Sequence, residues 1–250
     1  MTSHTDFHKN YPSLAAPKDG HVFVVTYGRS GSTLTQKILN AIPGYCIRGE
    51  NANITQHLSM VAEIVAQEQF FKSRRLNISL SPEERSSYLR DIIGTPSDPW
   101  YGAELVDPQD LRLSLLNVFS EKILQLPPDC RVGGFKEIRQ AMHPGFFKQH
   151  LDTIRTSFPN TKFIFQTRNW EDVARSKWWA NKPRDAVRER ILTANRLFSE
   201  YQESHPEICF ILEYEKYAKG ATYVRSILDF LGENLSEESI SNILKKKLTH

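Results

Sequence analysis

The sequence predicts an α/β fold, a three-layer sandwich built on a central parallel sheet. Three observations carry that expectation. Short apolar, β-branched runs recur along the chain, with little polar alternation, as strands buried on both faces do. Stretches with apolar positions at spacings of three and four separate them, the signature of amphipathic helices. The first run breaks into a glycine-containing segment before the first such helix. Strand–helix alternation joined by short turns is the pattern of a parallel sheet with helices on both sides.

The elements follow in order. Residues 1–20 form a polar, Pro-containing lead-in without the basic start and apolar stretch of a secretory signal. His21–Tyr27 (HVFVVTY) is the first strand, Gly28–Thr33 the break, and Leu34–Ala41 a helix closed by Pro43-Gly44. A further helix is expected from Asn53 to about Phe71. Lys72–Asp107 mixes Arg, Ser, Pro and Gly, with a helix expected from Ser81 (SPEERSSYLRDII), where a Ser cap precedes acids in the first turn. Leu111–Leu126 reads as helix, stopped by Pro127-Pro128. Arg131–Ile138 gives the weakest strand signal, its glycines fitting a close backbone approach. Lys162–Thr167 and Cys209–Tyr214 are clear strands, with helices at Gly145–Phe158, Asp172–Ala180, Arg184–Ser204 and Ala221–Leu231. The chain reads as one domain over 1–250, with about 50–130 a helical, acceptor-side insertion over the ligand-bearing edge of the sheet.

Composition narrows the function. The 250 residues are 40% hydrophobic and 24% charged, with a net charge of +3 from 32 basic and 29 acidic side chains. That balance does not point to a nucleic-acid partner but permits a local basic pocket. Cys46, Cys130 and Cys209 form no close pair, which predicts a reducing, cytoplasmic setting. No apolar run approaches the ~20 residues a bilayer requires, so no transmembrane segment is expected. The eight His are scattered and no C-x-x-C or H-x-H cluster occurs, so no metal site is expected.

The strongest chemical signal is Tyr27-Gly28-Arg29-Ser30-Gly31-Ser32-Thr33, between a strand and a helix. Glycines let successive N–H groups turn inward, and the helix start adds roughly half a positive charge. With two hydroxyls and a guanidinium, this suits a phosphate or sulfate group. The nucleotide-hydrolase pattern G-x-x-x-x-G-K-S/T lacks its lysine here, and G-x-G-x-x-G is absent. KFIFQT runs into Arg168 without an Asp for magnesium, which suits a group transfer that requires no metal.

These residues resemble sulfotransferases that use 3′-phosphoadenosine-5′-phosphosulfate (PAPS), which have a P-loop nucleotide-binding fold. The branch acting on carbohydrates and protein tyrosines has a 5′-phosphosulfate loop R-S-G-S/T-S/T-L, which Arg29–Leu34 matches. A strand ending in Arg, followed eight residues later by a helical Ser, is similar to Arg168 and Ser176 in TRNWEDVARSKWW, and the resemblance implies that both hold the 3′-phosphate. SFPNTKFIFQTRN and ILEYEKY, followed by a helix ending in DFLG, are also similar, and Tyr214 matches a tyrosine near the nucleotide. The resemblance spans about 21–48 and 131–232. It implies that Arg29, Ser30, Gly31, Ser32, Thr33, Arg168, Ser176 and Tyr214 bind PAPS or its product, adenosine 3′,5′-bisphosphate. Gly49-Glu50 matches the family's Gly-Glu, and the resemblance implies that Glu50 is the base. Lys136 matches a lysine that contacts the transferring group, and Arg29 shares that role.

His57, roughly two helical turns beyond Glu50, is a rival base. The chain departs from the family in lacking an Arg/Gly-rich C-terminal segment, ending instead in KKKLTH. Ala180 stands where some relatives have a second Arg, with Lys182 and Arg184 nearby, so another basic group substitutes or the grip is weaker. The acceptor is expected to be a hydroxyl of a glycan, glycolipid or small metabolite. Trp178-Trp179, Trp100-Tyr101 and Phe70-Phe71 offer flat faces for sugar rings. Two other readings stay open: a P-loop small-molecule kinase, and a catalytically degenerate nucleotide-binding protein.

Overall fold

The structure, a computed structural model, describes residues 4–217 and 220–245. Among them, five parallel strands form one sheet: β1 (Gly20–Val25), β2 (Tyr45–Arg48), β3 (Val132–Glu137), β4 (Thr161–Thr167) and β5 (Cys209–Glu213). Their spatial order is β2-β3-β1-β4-β5. Alternate residues of each strand feed two cores, as the pleat requires. Phe23, Val25, Phe135, Phe163 and Phe165 face one side; Val22, Val24, Val132, Ile164 and Leu212 face the other.

The aromatic side is covered mainly by α6 (Pro108–Phe119), α7 (Phe147–Ser157) and α9 (Arg184–Ser204). The aliphatic side takes α3 (Ser32–Leu39), α11 (Ala221–Leu231) and α12 (Glu237–Lys245). Each fully buried Phe or Leu contributes about 1.5–3 kcal/mol. This is the three-layer sandwich expected. Gly134 explains the glycines of the weakest strand: a Cβ there would lie 1.8 Å from the Val22 carbonyl oxygen, so only glycine lets β3 close on β1.

Several elements differ from expectation. The N-terminal lead-in is helical, α1 (His4–Asn10) and α2 (Pro12–Ala15), because Tyr11 and Leu14 bury into the aromatic core. The Asn117 side chain accepts from the Ser13 and Leu14 amides. β2, an unexpected strand, pairs along one side only and buries only Ile47. Asn40 holds it by bonding both the amide and the carbonyl of Ile47.

The helix expected from Asn53 breaks at Glu68, giving α4 (Ile54–Gln67) and α5 (Gln69–Ile78), since the Glu68 carboxylate caps α5 through the Phe70 and Phe71 amides. No helix forms from Ser81. The Ser81 amide does bond Glu84, but Arg85 then takes the Asn77 and Leu80 carbonyls, and Asn77 takes the Ser86 amide. Side chains thus satisfy the backbone groups and the segment is a series of turns. The expected helix at 172–180 is split into α8 (Trp170–Ala174) and a 3₁₀ segment, Lys177–Asn181. A short helix, α10 (Tyr214–Tyr217), follows β5 directly.

No helix of the described residues is long and apolar enough to cross a membrane. The three cysteines form no disulfide.

Candidate active site

All five strands end at one edge, and each contributes to a pocket of about 540 Å³ there. Arg29 follows β1, Glu50 follows β2, Lys136 and Arg139 come from the end of β3, Arg168 follows β4 and Tyr214 follows β5. This is the crevice where open parallel sheets place ligands. Four cationic side chains against one carboxylate leave the wall strongly positive.

The loop after β1 is shaped by its own small residues. Arg29 lies in the left-handed region at φ 69°, and Gly31 at φ 88° precedes the first turn of α3. A Cβ on Gly31 would sit 2.3 Å from the Tyr214 ring, so the loop and the tyrosine fit together only with glycine. Beneath them, Gln166 is fully buried. Its Nε2 donates to the Ser30 carbonyl at 2.7 Å, its Oε1 accepts from Thr35, and its backbone carbonyl accepts from Thr26. Ser30 therefore turns its hydroxyl down to Thr26 at 2.8 Å, away from the pocket, while Gly31, Ser32 and Thr33 line it. Ser30, assigned to ligand binding, does not line the pocket; it is fully buried beneath the loop.

The second anion motif meets the first directly. Arg168 Nη1 donates to the Arg29 carbonyl at 3.0 Å, and Arg29 Nε donates to Ser176 Oγ at 2.9 Å. The Arg168 guanidinium stacks 4.5 Å above the Tyr214 ring, and its buried Nε has no partner among the described residues. Tyr27 clamps the Arg168 backbone, accepting its N–H at 2.7 Å and donating to its carbonyl at 3.0 Å; burial raises the phenol's pKa. The two arginines that the resemblance places at opposite ends of one ligand thus share a wall.

The proton-handling side is equally close. Lys136, nearly buried, sits 2.6 Å from one oxygen of the partly exposed Glu50, and Arg139 sits 3.2 Å from the other. Arg139 was not expected; its signal was its place three residues beyond Lys136, off the strand end. Glu137 does not pair with Lys136. It is fully buried and accepts backbone N–H groups instead.

His57 is exposed on α4 and does not line the pocket, so the structure does not bring the rival base to the site. Of the aromatic pairs, only Trp178 does. It stacks on Trp179, which is buried and donates to the Gly28 carbonyl, whereas Phe70 and Phe71 pack on Trp100. Glu50 is the one pocket residue from the 50–130 segment, much of which instead packs against the aromatic face of the sheet through α4 and α6. Arg184 bonds Glu171 and lies over Trp170, and neither it nor Lys182 lines the pocket. Lys246 and Lys247 of the terminal KKKLTH lie outside the described residues.

The sulfotransferase family model matches residues 21–237, a span that contains every pocket residue. The chain belongs to the sulfotransferase family. Solved structures similar to this sulfotransferase include the sulfotransferase domain of the Synechococcus PCC 7002 olefin synthase. The two share 18% identity over 90% of this chain and 77% of that one, with a TM-score of 0.53. The sulfotransferase domain of the curacin biosynthetic pathway is also 18% identical, over 87% and 75% of the two chains, with a TM-score of 0.50. At that identity the likeness concerns the fold. No curated protein sequence matches the chain.

Proposed function

We propose that this sulfotransferase moves a sulfuryl group from PAPS to a hydroxyl acceptor, as members of the carbohydrate- and tyrosine-sulfating branch do. The observation that carries this reading is the junction of the two anion motifs: Arg29, Ser176 and Arg168 linked by hydrogen bonds of 2.9 and 3.0 Å. The residues present fit a donor with two charged ends. The buried Nε of Arg168, without a partner among the described residues, is a donor awaiting an acceptor, which a 3′-phosphate provides, and Arg29 links Arg168 to Ser176. The N-terminal turn of α3, with Ser32 and Thr33, suits the 5′-phosphosulfate. Tyr214 supplies an aromatic face to the nucleoside.

Bound there, PAPS supplies the sulfuryl group, with adenosine 3′,5′-bisphosphate as the leaving group. Glu50 takes the acceptor's hydroxyl proton as that oxygen bonds to sulfur. Lys136 and Arg29 neutralise the charge left on the bridging oxygen as its bond to sulfur breaks. The 2.6 Å contact of Lys136 with Glu50 puts proton acceptor and charge stabiliser at one point. No step asks for a divalent cation.

Trp178 supports a carbohydrate-containing acceptor: the residue is 46% exposed and lines the pocket, and its ring offers a flat face on which a sugar packs. The unpaired cysteines support a reducing, cytoplasmic setting.

Calorimetry tests the donor. Adenosine 3′,5′-bisphosphate should bind at least about tenfold more tightly than ATP–magnesium, a difference of about 1.4 kcal/mol, and transfer should survive EDTA. Tighter ATP–magnesium binding overturns the reading. E50Q should lower kcat about 10²–10⁴-fold, the usual weight of a general base, with bisphosphate affinity retained.

A further inference from the structure

Glu137 is adjacent to Lys136 in sequence yet takes no part in the pocket wall. The alternation of β3 sends the two side chains to opposite faces. Lys136 reaches Glu50, and Glu137 goes fully under the surface. There its Oε2 accepts the amide N–H groups of Asn51 and Asn53 at 3.0 and 2.9 Å. Its Oε1 accepts those of Ile138 and Arg139 at 2.8 and 3.1 Å, with Arg139 Nη1 at 3.2 Å. One oxygen therefore holds the chain just after Glu50, and the other holds the chain just after Lys136.

The backbone on the Glu50 side is strained. Ala52 and Asn53 are consecutive non-glycine residues in the left-handed region, at φ 56° and 61°. Such conformations persist only where the surroundings over-determine them, and they gather at functional sites. Asn53 is fixed further by its Nδ2, which donates to Gln56 Oε1 at 2.6 Å and to the Arg139 carbonyl at 3.2 Å. Each of these bonds ties the segment after β2 either to the start of α4 or to the end of β3. Burying a carboxylate is costly unless its oxygens are fully bonded, and here both are.

We infer that Glu137 is a positioning residue that sets the Glu50–Lys136 geometry by tethering both of their loops to one carboxylate. The inference rests on the assignment of Glu50 as the base. Glu137 touches no reacting group, so it acts only through its two neighbours.

E137Q preserves size but turns an NH₂ group toward one pair of N–H donors, so one of the two loops must let go. We expect kcat to fall on the order of 10²-fold, the effect of displacing a reacting group by about 1 Å. Bisphosphate affinity should fall far less than kcat, because Arg168 and Ser176, assigned to its 3′-phosphate, follow β4 and not β3. In an E50Q background the same substitution should lower kcat by less than about threefold, because residues acting as a unit are not additive. An equal loss in both backgrounds overturns the inference and makes Glu137 a general stabiliser.

Should E137Q fail to fold, E137D retains the charge and withdraws it by one methylene, and the same cycle is read with it. Amide hydrogen exchange reports on the tether without turnover. Asn51 and Asn53 should be protected in the wild-type chain and released in either variant, while Ile38 in α3 stays protected. Rapid exchange at Asn51 and Asn53 in the wild-type chain overturns the inference. A wild-type chain that transfers no sulfuryl group refutes the reading of the site instead, and the exchange result still decides the tether.

Discussion

Residues 26–31 leave β1 with two glycines and a left-handed Arg29, whereas residues 49–53 leave β2 with a single glycine and then a left-handed Ala52 and Asn53. Both loops end at the same pocket. The first makes its turn with its own residues, two glycines and the left-handed Arg29, and Gln166, 136 positions away, adds a bond to the Ser30 carbonyl from below. The second borrows its shape from Glu137, 86 and 84 positions away from the Asn51 and Asn53 amides it receives. A loop written locally should fail through its own positions. A loop held from a distance should fail through its partner.

The largest expected effect falls on the first loop. G31A places a Cβ 2.3 Å from the Tyr214 ring at φ 88°. The loop must move, and bisphosphate affinity by calorimetry should fall by at least about 100-fold. Retained affinity would show that the loop is not shaped locally.

Next is Q166L, which strands the Ser30 carbonyl and the Thr35 hydroxyl in the interior. Each unsatisfied group costs about 1–3 kcal/mol, so urea unfolding should show a loss of about 3 kcal/mol. The Asn51 and Asn53 amides should remain protected, because nothing on that side depends on Gln166.

Acid should separate the two sides next. His150 lies beneath α4, its Nδ1 3.0 Å from Ser59 Oγ and its Nε2 near Thr55 and Gln140. Burial pushes its pKa down to about 3. Above pH ~6.5 it is neutral in both folded and unfolded chains and contributes no pH dependence. Below that, the unfolded chain takes up a proton that the folded chain refuses. Stability then falls by about 1.4 kcal/mol per pH unit until pH approaches 3. His21, pushed down to about 4 by burial at the opposite end of β1, adds a similar slope. H150Q should therefore lessen the acid slope of urea midpoints measured between pH 6 and 5, not abolish it. An unchanged slope would remove the imidazole from the account.

The smallest effect is expected at Ala52, which is exposed and left-handed. A52G relieves about 1–2 kcal/mol of backbone strain and returns about 0.4–1 kcal/mol as chain entropy. A net gain of about 0.5–1 kcal/mol should appear in the urea midpoint. A loss would mean that Ala52 is not strained.

The same contrast explains what could be read in advance. The turn at 28–33, Arg168 after β4 and Tyr214 after β5 are local patterns, each a strand end followed by a distinctive side chain, and all lie at the pocket. The grip of Arg29 on Ser176 follows from strand order and has no local signature. β2 escaped because an edge strand of four residues with one buried side chain barely differs from a turn. The Ser81 segment showed a true capping signal, but Arg85 and Asn77 bond the backbone groups that a helix would have used. Glu137 carries no signal in the sequence, because adjacency to Lys136 does not show on which face of the strand its charge is buried, and that depends on the core it meets.

The strand order divides the labour at the pocket. β2 and β3, neighbours at one end of the sheet, carry the proposed base Glu50 and the cations around it; β1, β4 and β5, contiguous at the other, carry Arg29, Arg168 and Tyr214, proposed to hold the donor. The boundary is the seam where Gly134 lets β3 lie against β1. A chimera that exchanges the β2–β3 unit along that seam should replace Glu50, Lys136 and Arg139 together while leaving Arg29, Arg168 and Tyr214 in place.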